Sequence, residues 1–299
     1  MNGVANLGGL LRAEWLRLRR RPEVLLLAAL VPVAAGLLFV AAFLDAISHV
    51  GVGDGPPGPI SPEVQQWMAW LRAPYAFPQS LLSVLAGAWP VPLAGLFLGT
   101  ATVGADFGWA TIRTALLAWS DRTGWLIARL LSLAALAAFL LGAVLVVGAL
   151  LPVVLVVAGE QLPTVDPPTG LLVVVGAHLL VTIQYVVLGV AGGLVARSFA
   201  GGFLLAGGYL LVDATVAGLG VWSAVGLRVV PTFTFSGSGR ALIEAANRVS
   251  GAPPPLDQNA VGLLPPSVPG WLSLVVVFVW LGALVALALL RLRRLDVTE

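Results

Sequence analysis

Residues 125–150 read WLIARLLSLAALAAFLLGAVLVVGAL and contain a single charged residue, Arg129. An apolar run of about twenty residues is what an α-helix needs to cross roughly 30 Å of hydrocarbon. Residues 24–44 form another run of this kind. Across the chain 59% of residues are apolar and 10% are charged, whereas soluble domains have about 25% charged residues. The sequence therefore predicts an all-α, polytopic membrane protein.

The hydropathy pattern predicts six transmembrane helices in one domain that covers residues 1–299. The predicted spans are Val24–Leu44, Leu81–Val103, Trp125–Leu150, Gly170–Val195, Ala200–Trp222 and Gly270–Leu290. Pro90 and Pro92 are expected to kink the second span. The third run stays apolar beyond Pro152, so this helix is either tilted or broken near that proline.

The positions of arginine predict the orientation, since cytoplasmic flanks carry an excess of positive charge. With both termini inside, the inner segments hold Arg12, Arg17, Arg19, Arg20, Arg21, Arg113, Arg122, Arg129, Arg197, Arg291, Arg293 and Arg294, and the outer segments hold Arg72, Arg228, Arg240 and Arg248. All basic residues are arginine, and this usage with abundant alanine is typical of a GC-rich bacterial genome. We therefore expect a multi-pass protein of the bacterial cell (inner) membrane with both termini cytoplasmic.

Two long outer segments, residues 45–80 and 223–269, are rich in glycine and proline. The first is predicted to contain a short helix with Ser61 as N-cap and Pro62 at its first position. One face of that helix carries Val64, Trp67, Met68 and Leu71. In the second segment Ala241–Val249 is a possible short helix.

The composition excludes several kinds of chemistry on this chain. There is no lysine, so it has neither the lysine of a P-loop nor a Schiff-base lysine. There is no cysteine, which removes disulfides and thiolate metal sites. His49 and His178 are far apart in sequence and do not form a metal-binding pattern. We expect a protein that is not an enzyme and holds no cofactor or metal of its own.

The segment Leu7–Arg21 has the pattern of an amphipathic helix in the inner membrane interface. Its apolar face carries Leu7, Leu10, Leu11, Trp15 and Leu18, and the other face carries Arg12, Arg17, Arg19, Arg20 and Arg21. It either anchors the topology or also contacts a cytoplasmic partner. The apolar run that follows is about twenty residues long without a small-x-small cleavage site, so we expect a retained helix and not a signal peptide.

The inner loop between spans two and three, residues 104–124, reads GADFGWATIRTALLAWSDRTG. We expect a short cytoplasmic helix here, with Asp106 near its start, where a carboxylate complements the helix dipole. Ser120 or Asp121 is expected to cap the next span. The apolar residues of the loop are Phe107, Trp109, Ile112, Leu116 and Trp119. This is more apolar surface than a solvated connector needs, so it should contact lipid or protein.

This loop resembles the permease family of ABC-2-type transporters, in which a Gly-x-Glu/Asp-aromatic-x-x-Gly-Thr-x-Arg stretch precedes a Ser-Arg pair and a basic residue. The matching positions are Gly104, Asp106, Phe107, Ala110, Thr111, Arg113, Ser120, Arg122 and Arg129. The chain departs from the family pattern at Ala110, usually glycine, and at Asp121, inserted between the serine and the arginine. Arg129 stands where lysine is commoner. The overall layout of a basic amphipathic helix followed by six spans is also similar.

The resemblance implies that the loop is a coupling helix that docks on a separate ABC ATPase subunit. It assigns this contact to Asp106, Phe107, Trp109, Thr111, Ile112, Arg113 and Arg122. ATP and Mg are then expected on the partner subunit, and a second permease chain, identical or different, completes the pathway among membrane lipids. Nucleic acid is not an expected partner. The implied function is export of an amphipathic, drug-like or lipid-like substrate.

Asp213 is a carboxylate predicted near the middle of span five, so it should face protein or a wet cavity. It is either a pathway residue or a structural residue that bridges helices, and His178 and Gln184 in span four are compatible partners. A secondary transporter or channel that uses Asp213 is the alternative function, and a membrane enzyme is a weaker one. Small residues recur as Gly189, Gly192 and Gly193 in span four and as Gly201, Gly202, Ala206, Gly207 and Gly208 in span five. They serve either packing within the chain or a dimer contact.

Overall fold

The computed structural model describes residues 3–48, 66, 69, 71–108, 122–164, 169–218, 229–250 and 269–294. These residues form nine α-helices and two short 3-10 helices, with no strand among them. The α-helices are α1 Gly3–Arg19, α2 Pro22–Ser48, α3 Ser80–Ala86, α4 Pro90–Gly108, α5 Arg122–Val157, α6 Leu171–Ala196, α7 Phe199–Gly218, α8 Phe235–Ser250 and α9 Gly270–Arg293. The all-α prediction agrees with this architecture.

Five helices are long and apolar enough to cross a membrane: α2, α5, α6, α7 and α9. A sixth candidate is the pair α3 and α4, which meet at a bend of 52°. The predicted count of six is therefore reached only if the bent pair is one span. The predicted helix at Ser61 lies mostly outside the described residues.

Proline acts differently at the two predicted sites. Before Pro90 the chain breaks between α3 and α4, and Pro90 occupies the first position of α4, where its missing N–H costs no helical hydrogen bond. Pro152, in contrast, lies inside α5, which continues to Val157. Of the two alternatives for the third span, a helix broken at Pro152 is therefore wrong.

The helix α6 is the centre of the bundle and packs against α4 and α7 through glycine. A Cβ added to Gly189 would lie 2.2 Å from the Leu96 carbonyl oxygen of α4, and one added to Gly202 of α7 would lie 2.8 Å from the Gly193 Cα. No side chain fits such contacts, so the helix backbones touch. These glycines pack within the chain. Gly207 and Gly208, in contrast, have open space where a Cβ would be.

We call the two ends of the helix bundle basal and distal, and we define each end by the residues that are in contact there. At the basal end Arg129 of α5 bonds Glu14 of α1, and Arg122 donates to the Leu292 carbonyl of α9. The distal end is where α6 and α9 begin and α8 ends, with Gly170 next to Ser250. Both α1 and the end of α9 are thus on one side of the bundle.

Candidate functional site

The first helix, α1, turns a mixed polar and apolar face toward the spans. Leu10, Glu14 and Leu18 are buried, and spacings of four residues place them on one face of α1. Arg21 lies beyond the end of α1 at Arg19 and is also buried. Trp15, predicted on the apolar face, is 45% exposed. Arg21, predicted on the opposite face, is buried. Leu10 and Leu18 of the predicted apolar face are buried within the bundle, and the sequence pattern did not indicate that Glu14 and Arg21 are buried with them.

Arg129 is the centre of a buried ion-pair cluster at the basal end. Its guanidinium donates to both carboxylate oxygens of Glu14, with Nη2–Oε1 and Nη2–Oε2 distances of 3.1 and 3.0 Å. It also donates to Oδ2 of Asp106 at 2.6 Å and to the Thr102 carbonyl at 2.7 Å. The Trp125 ring lies 4.7 Å from its Cζ. Arg129 therefore joins α1, α4 and α5, and the planar guanidinium suits such a multiple contact.

Asp106 receives three arginines although none of its surface is exposed. Besides Arg129, Arg21 donates to its Oδ1 at 3.0 Å, and Arg17 donates to the same oxygen. The prediction that Asp106 begins a short helix is wrong, because α4 continues to Gly108 and Asp106 lies in its last turn. A carboxylate without exposed surface needs charged partners, and the three guanidinium groups provide them.

The remaining contacts complete the charge balance of this cluster. Arg21 also donates to Glu23 at 3.4 Å and to the Ala101 carbonyl at 3.3 Å. Three guanidinium groups thus face three carboxylates, and their formal charges cancel. Burial lowers the pKa of the Arg17 guanidinium, while the nearby Asp106 carboxylate opposes this shift. The basal ion-pair cluster is the name that we give to these six residues: Glu14, Arg17, Arg21, Glu23, Asp106 and Arg129.

The other residues predicted to contact an ATPase have mixed positions. Phe107 is partly buried and packs on the apolar core. Arg122 donates to the carbonyls of Leu292 and Arg293 at 3.1 and 3.3 Å, so it caps the C-terminus of α9. Trp109, Thr111, Ile112 and Arg113 lie outside the described residues. Within the described part of the chain, the structure therefore gives Asp106 and Arg122 contacts inside the bundle.

Asp213 binds the beginning of another helix. Its two oxygens accept the backbone N–H groups of Phe235 and Ser236 at 2.9 and 2.7 Å. A carboxylate at this position satisfies unpaired donors and complements the helix dipole. Asp213 of α7 is thus an N-cap supplied to α8 from another helix, the geometry of the helix-bridging alternative.

The two predicted partners of Asp213 make their hydrogen bonds elsewhere in the described structure. Nδ1 of His178 lies 3.0 Å from the Val174 carbonyl of its own helix. Gln184 donates to the Phe235 carbonyl at 3.5 Å, so it contacts the residue that Asp213 caps. Around this point the Phe235 ring packs against Trp280, with 5.9 Å between the ring centroids. The structure therefore brings Gln184 and Asp213 to the start of α8 but leaves His178 apart.

A cavity of about 310 Å³ lies between α6, α8 and α9 at the distal end. Its lining is apolar and includes Gly176, Leu180, Leu242, Ala246 and Trp271.

No family model, curated protein or solved structure matches this chain. The features that bear on function are therefore the loop that resembles a coupling helix and the arrangement of the residues around it.

Proposed function

We propose that this chain is the permease subunit of an ABC-2-type transporter, which couples to a separate ATPase subunit and exports an amphipathic substrate. The observation that carries the proposal is the basal ion-pair cluster. It connects Asp106, two residues before Gly108 at the end of α4, with Arg129, two turns into α5. The loop that resembles a coupling helix runs between these two helices.

The cluster matters for coupling because it determines what must move when that loop is pushed. Asp106 and Arg129 lie on either side of the loop and bind each other directly. Glu14 and Arg21 add α1 and the start of α2 to the same unit. Force on the loop would therefore displace α1, α4 and α5 together and not bend one connector. This supports a role as the receiver of a partner's conformational change.

The alternative of a secondary transporter depended on Asp213 as a carrier of protons. A carrier must gain and lose a proton while its oxygens reach a pathway. Both oxygens of Asp213 accept backbone N–H groups, and protonation would weaken at least one of these bonds. The geometry is that of a helix cap, so it does not favour the alternative.

The decisive experiment is co-purification with a co-expressed P-loop ATPase subunit. Trp109→Ala and Arg113→Ala should leave the chain in the membrane but weaken ATPase binding, because truncating an interface anchor costs about 2 kcal/mol or more, roughly thirtyfold in affinity. The control is Arg72→Ala, which removes a 3.3 Å ion pair with Glu160 away from the loop. If the double variant Trp109→Ala/Arg113→Ala binds the ATPase as tightly as the control does, the proposal is wrong.

A further inference from the structure

The helix α8 runs beside the first half of α6, from the middle of that span to the distal end. At its start the Phe235 carbonyl accepts a hydrogen bond from Gln184. Further along, a Cβ added to Gly239 would lie 3.2 Å from Val181. At its end Ser250 lies next to Gly170. The helix α8 is therefore re-entrant, since it begins at the depth of a mid-span residue and runs outward.

The depth of α8 follows from the length of α6. With 26 residues, α6 is roughly 39 Å long, and Val181 is about 15 Å from its distal end at 1.5 Å per residue. If the helix extends equally beyond both faces of a 30 Å hydrocarbon layer, Gly239 beside Val181 is about 10 Å inside that layer. The first turns of α8 therefore lie within the hydrocarbon region.

Part of the outward face of α8 is nevertheless polar, beside the exposed Val249. Arg240, Glu244, Asn247 and Arg248 follow one another at helical spacing, and we call these four residues the polar stripe. The opposite face, which includes Leu242 and Ala246, packs on α6 and α9. Arg240 is exposed, and it makes no hydrogen bond or ion pair with the residues that the structure describes. Arg240 also interacts electrostatically with Tyr185 of α6. The charges of Arg240 and Arg248 are nevertheless accessible from outside the packed helices, since both side chains are exposed.

An ion pair within the polar stripe determines its net charge. Glu244 and Arg248 form an ion pair of 3.7 Å one turn apart, so the single carboxylate is already matched. The charge of Arg240 remains in excess, at the deep end of the stripe. Charged side chains at such depth are costly in lipid and face protein or water-filled pathways.

We propose that the polar stripe lines a water-filled cavity open at the distal end, and that this cavity receives the anionic group of an exported amphiphile. The inference rests on the proposed export function and adds the class of substrate: a phosphate, sulfate or carboxylate group on an apolar body. Arg240 attracts the anion from the deep end, and Arg248 lies nearer the exit. The aqueous surroundings let the anion leave, because exposed ion pairs are weak.

The absence of cysteine allows a direct test on the full chain in proteoliposomes. Glu244→Cys is compared with Val275→Cys, because Val275 is half exposed on α9 and lies about as far from the distal end as Glu244, roughly 8 Å. Each is treated with impermeant methanethiosulfonates, one carrying sulfonate and one carrying trimethylammonium. We expect Glu244→Cys to react at least tenfold faster than Val275→Cys, and the anionic reagent to be favoured by about tenfold.

Two further variants make the outcome unambiguous. Adding Arg240→Ala should reduce the preference for the anionic reagent, and the part that remains belongs to Arg248, which loses its Glu244 partner in this variant. Dodecyl phosphate should slow the labelling, whereas dodecyltrimethylammonium should not. Asn247→Cys replaces Glu244→Cys if the latter does not fold. Equal slow labelling of stripe and control positions, or a preference for the cationic reagent, would overturn the inference. No ATPase is present, so this result is independent of the coupling experiment.

Discussion

Arg129→Met is the substitution that most directly tests the basal ion-pair cluster. The guanidinium makes five hydrogen bonds, three to Glu14, one to Asp106 and one to Thr102. Without it, Glu14 keeps only a 4.0 Å contact with Arg17 among the described residues. Its carboxylate would stay buried without an adequate partner. Removing one partner of a buried ion pair costs about 3–5 kcal/mol, so we expect the free energy of unfolding to fall by that amount.

The assay is a reversible unfolding titration in mixed micelles, with Arg72→Met as the matched control. The Arg72–Glu160 pair is partly exposed, and such pairs contribute about 0–1 kcal/mol. The double variant Arg129→Met/Glu14→Leu should be more stable than the sum of the single changes predicts, with a coupling energy of about 1–3 kcal/mol. If Arg129→Met lowers stability no more than Arg72→Met does, the cluster does not hold α1 on the spans.

Three other predictions concern the rest of the chain. Asp213→Asn should lower the free energy of unfolding by about 1–2 kcal/mol, because an amide keeps only one acceptor oxygen for the two N–H groups of α8. Transport by this variant should keep its pH profile. A loss of the pH dependence at normal expression would favour the secondary transporter. Gly189→Ala should destabilise the folded protein by about 1–3 kcal/mol, as overpacking does. Gly208→Ala is the control, because a Cβ there has open space, and it should leave thermal unfolding unchanged. Equal effects of the two substitutions would contradict the backbone packing. In intact cells an impermeant thiol reagent should label Gly251→Cys but not Thr114→Cys, and the reverse pattern would invert the topology.

The positions of the spans could be predicted from sequence because their signal is local. Run length alone located α6 and α9 within a few residues, since the bilayer imposes one length on every crossing. The bend before Pro90 was also readable, because proline acts on its own helix. At Pro152 the sequence left a tilted and a broken helix as alternatives, and the broken helix is wrong. Proline removes one backbone hydrogen bond, which a helix of 36 residues can lose without ending.

The charged cluster could not be predicted because its members meet only after the helices pack. Glu14 and Arg129 are 115 positions apart, and nothing local indicates that they pair. One signal was present, since Glu14 lies midway between Leu10 and Leu18 on a buried helix face. The role of Asp213 as the cap of α8 could not be predicted for the same reason. An isolated carboxylate in a predicted span suggests a transport-pathway residue until the start of the helix that it binds is known.

The three buried acids differ in when their partners become available during synthesis. Glu14 and Asp106 precede Arg129 in the chain, so α5 enters the bilayer with both counter-ions already made. Asp213 enters with α7, whereas the N–H groups that it caps are translated only some twenty residues later. Until then its carboxylate carries the insertion cost of an unpaired acid, about 2.5–3.5 kcal/mol. A nascent chain that stalls after Gly218 would therefore hold α7 less firmly in the bilayer than the finished protein does.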